Sequence, residues 1–68
     1  MMSTLSNHVQ KYRNKWKVTQ EELARTVGVT RQTIIAIEKG NYTPSIFLAL
    51  KIANYFKTPV EKLFTIEK

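Results

Sequence analysis

Apolar residues recur along this chain at helical spacing, in short runs separated by glycine, proline and small polar residues. Val9, Tyr12 and Trp16 stand at i, i+3 and i+7, giving one apolar face to a helix from about Asn7 to Trp16. Thr19-Gln20-Glu21-Glu22 has the form of a capping box, in which hydroxyl and carboxylate each accept a free backbone N–H of the first turn. Leu23, Ala24 and Val27 then supply the buried side of a second helix, which Gly28 stops in a left-handed conformation. Thr30 caps a third helix reaching Lys39, with Ile34 and Ile37 inward and Gly40 as its C-terminal stop.

After the polar loop Asn41-Tyr42-Thr43-Pro44, Ser45 begins a fourth helix that ends near Phe56. Its inward stripe reads as Ile46, Ala49, Leu50, Ala53 and Phe56, yet Phe47, Leu48, Ile52 and Tyr55 are apolar elsewhere on it. Thr58-Pro59-Val60-Glu61 reads as a second capping box with proline at the first helical position, opening a short last helix from Pro59 to about Phe64. No strand stands out, and the tail from Thr65 to Lys68 has no assignment. The pattern predicts an all-α fold of five short helices in one domain over 1–68, its core within about 9–64.

Residues 20–39 form a unit: a short helix, a turn holding Gly28, and a second helix. Ala24 is small where the helices must approach, and Leu23, Val27, Val29, Ile34 and Ile37 form the apolar wedge between them. The polar side of the second helix then protrudes as a ridge, and an α-helix fits the DNA major groove. Arg31 and Gln32 lie in its first turn, where arginine pairs with guanine and glutamine with adenine in bidentate fashion. Thr33 shares that turn. One turn later Ile35 should face outward, towards a thymine methyl, beside Ala36, and Lys39 at the far end can meet a phosphate.

Charge strengthens the picture. Eleven Lys and Arg stand against five acidic residues, for a formal net charge of +6, which suits a polyanionic partner. The absence of cysteine excludes disulfides and thiolate metal sites. His8 is the single histidine, so neither a metal site nor a catalytic triad assembles; no cofactor and no enzymatic activity are expected. No stretch resembles a signal peptide or a spanning helix, and a cytoplasmic, nucleoid-associated protein without membrane contact is expected.

The ordered set Q-E-E-L-A at 20–24, V-G-V at 27–29, T-R-Q-T-I at 30–34, I-E-K-G at 37–40, P-S at 44–45 and L-K-I-A at 50–53 closely resembles the Cro and phage-repressor family of helix-turn-helix regulators. The resemblance implies a five-helix phage-repressor-like fold and, commonly, repression from a dimer on a palindromic operator. It implies that Gln20 meets a phosphate, that Arg31, Gln32 and the position of Ala36 read bases, and that Thr30, Asn41, Tyr42 and Thr43 approach the backbone. Ala36 is shorter than the polar residues often found there and can offer only a methyl contact. The resemblance also places an arginine and a glutamate at Arg13 and Glu38, tying the first helix to the third.

A chain of 68 residues has a small core and gains from oligomerisation. A fourth helix apolar nearly all round is either central or covered by another subunit. A homodimer is therefore expected, with Phe47, Leu48, Tyr55, Phe64 and Ile66 at its interface. The leading reading is a repressor binding double-stranded operator DNA. The runner-up is a protein-interaction module on the same fold, such as an antitoxin or an antagonist of a regulator; Arg31, Gln32 and Lys39 on the exposed ridge favour DNA, since a protein-binding ridge would need fewer cations and more anchors. RNA ranks third, because the A-form major groove is too deep and narrow for such a helix. With no room for a separate ligand domain, release from DNA is expected to come from a partner, temperature or competition.

Overall fold

The computed structural model describes residues 4–67. Lys68, at the end of the unassigned tail, lies outside them. The chain runs β1 (Thr4–Asn7), α1 (Val9–Trp16), α2 (Gln20–Val27), α3 (Arg31–Glu38), α4 (Ile46–Tyr55), α5 (Val60–Leu63) and β2 (Phe64–Glu67). Three helices start where a hydroxyl residue can satisfy a free N–H of the first turn. Thr19 Oγ1 accepts the Glu22 N–H at 3.0 Å while Glu22 Oε1 accepts the Thr19 N–H at 2.9 Å, completing the capping box of α2. Thr30 and Ser45 likewise accept from Thr33 and Leu48.

Glycine ends two of them. Gly28 and Gly40 take φ of 81° and 80°, the left-handed region where a side chain is strained. After α3, the N–H of Asn41 donates to Ala36 O and that of Gly40 to Ile37 O, so the turn out of the helix closes on its last carbonyls.

The core draws on all five helices. Val9, Leu23, Ile34, Ile37, Ile52 and Leu63 are fully buried, and each contributes about 1.5–3 kcal/mol of apolar transfer. Trp16 lies on the rim, edge-on to Phe56 at 5.6 Å and tilted against Tyr55 at 6.1 Å.

Three expectations are corrected. The inward side of α4 consists of Leu48, Ile52, Ala53 and Phe56, while Ile46 and Leu50 are 80% and 46% exposed. The helix is thus rotated by roughly 70° from the expected stripe, with Ala53 and Phe56 still inward. An apolar surface on all sides leaves the rotation to whatever packs against it, here α2 and α5. Leu48 consequently belongs to the core and is not available to a second subunit.

The second capping box does not form. Pro59 itself is the N-cap of α5, without a side-chain bond to the helix, and the Thr58 hydroxyl stands 3.4 Å from the Tyr12 hydroxyl. Left-handed Lys57 turns the chain out of α4, with the Thr58 N–H donating to Ala53 O, which commits Thr58 to the preceding turn.

The ends of the described chain are strands. β1 and β2 pair antiparallel in the register Thr4↔Glu67, Leu5↔Ile66, Ser6↔Thr65 and Asn7↔Phe64. Asn7 therefore precedes the first helix. Its Oδ1 accepts the Val9 N–H and its Nδ2 donates to Ile37 O at 2.8 Å. Because opposite residues share a face, the sheet has an apolar side, Leu5, Phe64 and Ile66 with Asn7, and a polar side, Thr4, Ser6, Thr65 and Glu67. A two-stranded ribbon is marginal alone, and this one continues into α1 and α5, where the His8 N–H donates to Leu63 O at 2.8 Å.

Candidate nucleic-acid interface

Helix α3 is held from behind. Glu38, at its last turn, accepts from Arg13 Nε at 2.8 Å and from Arg13 Nη2 at 3.2 Å, a bidentate pair with the two side chains 12% and 5% exposed. Gln20 Nε2 donates to the same carboxylate at 3.0 Å, and Arg13 Nη1 donates to Val18 O at 3.1 Å. One carboxylate thus joins α1, the start of α2 and the end of α3. Asn7 adds a fourth tie through the Ile37 carbonyl.

With Ile34 and Ile37 buried, the other side of α3 faces out. Arg31, Gln32 and Lys39 are exposed, whereas Thr33, Ile35 and Ala36 are half-buried. Thr30 Oγ1 caps the helix and stands 3.2 Å from Thr33 Oγ1, so both hydroxyls sit at the helix start. No acidic residue occupies the first turn, and among the described residues Arg31 and Lys39 have no ion-pair partner. Arg31 borders a polar groove with Arg13, Thr19, Gln20 and Glu21, where the two helices diverge. Asn41, Tyr42 and Thr43 continue the exposed surface into the next loop. The result is a convex polar ridge bearing unneutralised cations on a helix that cannot rotate freely.

Residues 9–63 match the helix-turn-helix family, from α1 through α5. The chain belongs to the Cro/C1-type helix-turn-helix family. It is 51% identical over 63 residues to an uncharacterized HTH-type transcriptional regulator of Methanocaldococcus jannaschii, covering 93% of this chain and 96% of that protein. A Bacillus subtilis regulator, YgzD, is 48% identical, with 94% and 97% covered. The transcriptional repressor RstR of the cryptic phage CTXphi in Vibrio cholerae is 31% identical over 85% of this chain and 52% of that one. In fold, the chain matches the clp gene regulator ClgR of Corynebacterium glutamicum with a TM-score of 0.75 at 22% identity, over 79% of this chain and 57% of that one. This is therefore a helix-turn-helix transcriptional regulator, of a family of DNA-binding proteins rather than enzymes.

The regulator's other expected surface is divided by the structure. Phe47 and Ile66 are each 71% exposed, Phe64 is half-buried, and Tyr55 is half-buried against Trp16 and Phe56. Leu48 is 6% exposed and lies inside. Ile46, Leu50 and Leu5 are exposed instead. Leu5, Tyr42, Pro44 and Phe64 line one groove with Ile37 and Gly40, next to the end of α3. The Lys51 ammonium lies over the Phe47 ring, 4.7 Å from its centre.

Among the described residues no group of His, Asp and Glu could hold a metal ion, and no helix is long and apolar enough to cross a membrane. Two bonds that hold the interface were not legible beforehand. Asn7 signals itself only as a capping-type residue before a helix, and its bond to Ile37 spans thirty positions. The bond that the Gln20 amide donates to Glu38 required knowing that the start of one helix meets the end of another.

Proposed function

We propose that this regulator binds a palindromic DNA operator as a homodimer and represses transcription there. The observation that carries the reading is the α3 ridge: Arg31, Gln32 and Lys39 exposed, the two cations without an ion-pair partner among the described residues, on a helix anchored through Glu38. Arg31 and Gln32 read base edges, Ile35 and Ala36 lie against thymine methyls, and Lys39 meets a phosphate. Gln20, Thr30, Thr33, Asn41, Tyr42 and Thr43 approach the backbone around it. The Gln20 side-chain nitrogen is already committed to Glu38, which orients its amide oxygen at the start of α2.

Two copies meet through the apolar side of the sheet and the start of α4, with Leu5, Phe64, Ile66, Ile46 and Phe47 covered and Tyr55 at the margin. The groove beside the end of α3 supports this, because a partner seated there brings two recognition helices side by side. Two helices about one DNA turn apart read twice the sequence of one. Repression is supported by the likeness to the phage repressor RstR.

Selection of bound sequences from random duplex tests both parts together. A two-fold symmetric consensus, with binding that weakens steeply as salt rises, is the expected result. No enrichment would overturn DNA reading and favour a protein partner on the same ridge. An enriched but asymmetric half-site would retain DNA reading and overturn the dimer.

A further inference from the structure

The polar side of the β1–β2 sheet borders a groove of about 460 Å³ that the DNA-binding reading does not use. It is lined by His8, Lys11, Tyr12, Lys15, Glu61, Lys62 and Thr65. Lys11 and Lys15 follow His8 at i+3 and i+7 and share one side of α1. Arg13, which reaches the recognition helix, is two residues from each lysine and so points from the opposite side, about 200° round the helix. The groove therefore faces away from the α3 ridge.

Its charge is unbalanced. Three ammonium groups surround it against the single carboxylate of Glu61, and among the described residues none of the three makes an ion pair. One polar atom is also unaccounted for. Thr65 lines this groove and buries its Oγ1, which among the described residues has no hydrogen-bond partner. A buried hydroxyl normally has a partner, so an unpaired one on a residue lining a cationic groove is open to a ligand acceptor once its side chain turns outward.

We propose that this groove binds a small phosphorylated molecule. A phosphoryl group carries three terminal oxygens and close to two negative charges, matching three ammonium donors and one hydroxyl better than a single carboxylate would. Lys11 and Lys15 approach it from α1, Lys62 and Thr65 from α5 and β2, and the Tyr12 ring offers an apolar wall to the rest of the molecule. The ligand bridges the beginning and end of the fold, reinforcing the bond from the His8 N–H to Leu63 O. Binding to the folded state alone stabilises it by mass action.

The test follows backbone amide shifts while pyrophosphate replaces chloride at constant ionic strength. Saturable shifts confined to the segments around 8–15 and 61–65, with a melting temperature that climbs with pyrophosphate, are expected. Lys11→Gln with Lys62→Gln should weaken that binding at least tenfold, and Thr65→Val, which keeps the side chain's shape, several-fold. All three side chains can be changed with the fold checked independently by the unliganded amide spectrum. Shifts spread over Arg31, Lys39 and the lysines generally, or a response the variants leave intact, would overturn the site. If duplex DNA without pyrophosphate moved the same amides, the groove would belong to the DNA backbone and the small-molecule reading would fall.

Discussion

Helices α3 and α4 are neighbours in the chain and expose opposite chemistries. α3 turns Arg31 and Gln32 outward, whereas α4 exposes Ile46 at 80% and Phe47 at 71%. The rotation of α3 follows its own pattern, two isoleucines inward and polar residues outward, and is then secured by directional bonds to Arg13, Gln20 and Asn7. The rotation of α4 follows shape alone, since almost any of its faces could be buried. A polar ridge can remain in water without cost until DNA arrives. An apolar face keeps a standing incentive to be covered. The first surface is therefore suited to a reversible partner and the second to a lasting one.

The sharpest way to break this contrast is to cut the tie behind α3. Glu38→Ala leaves the Arg13 guanidinium largely buried and unpaired, and should cost about 3–5 kcal/mol in chemical denaturation. Replacing both partners together, Arg13→Met with Glu38→Leu, should cost less than Glu38→Ala alone. If Glu38→Ala were neutral, α3 would be held by its isoleucines only.

Adjacent positions on α4 then separate inside from outside. Leu48→Ala, in the core, should lose about 2–5 kcal/mol of stability. Phe47→Asp with Ile66→Asp should leave a folded monomer in sedimentation, because both side chains are largely exposed. A double variant that still sedimented as a dimer would place the subunit contact elsewhere.

On the ridge the effects are smaller and concern binding rather than folding. Arg31→Ala or Gln32→Ala should cost roughly 1–3 kcal/mol on the selected site and relax the preference at one base position. Lys39→Ala should weaken specific and random duplex alike. Equal behaviour of all three in a binding titration would erase the distinction between reading and holding.

The smallest effect lies at the start of α2. The N–H of Thr19, donating to the Glu22 carboxylate, holds that group below its ordinary pKa, with the Thr19 side chain adding to the effect. A depressed folded-state value means the contribution is complete above the ordinary carboxylate pKa and is lost as pH falls through the lowered one. Glu22→Gln should therefore flatten the acid limb of a stability–pH curve slightly, and Thr19→Ala should cost about 1 kcal/mol.

How much was legible varied with how locally each feature is made. The cap at Thr19, the stops at Gly28 and Gly40 and the isoleucines of α3 lie within a few residues of what they control. Thr58 carried the same outward signature as Thr19 yet caps nothing, because left-handed Lys57 and the neighbouring Tyr12 hydroxyl set its place. The strands gave no readable signal, since four residues each acquire meaning only when Leu5 and Ile66 stand opposite one another.

Sequence by itself determined the helix-turn-helix unit, the five helices and the cations available to the ridge, because capping, glycine turns and 3.6-residue periodicity act over short distances. Tertiary structure alone decided which side of α4 is buried, that the two ends pair as a sheet, and that Gln20 and Asn7 join Arg13 behind α3. Each of those depends on groups brought together from distant positions. Their contact energies exist only once the chain has closed around Val9, Ile34, Ile52 and Leu63.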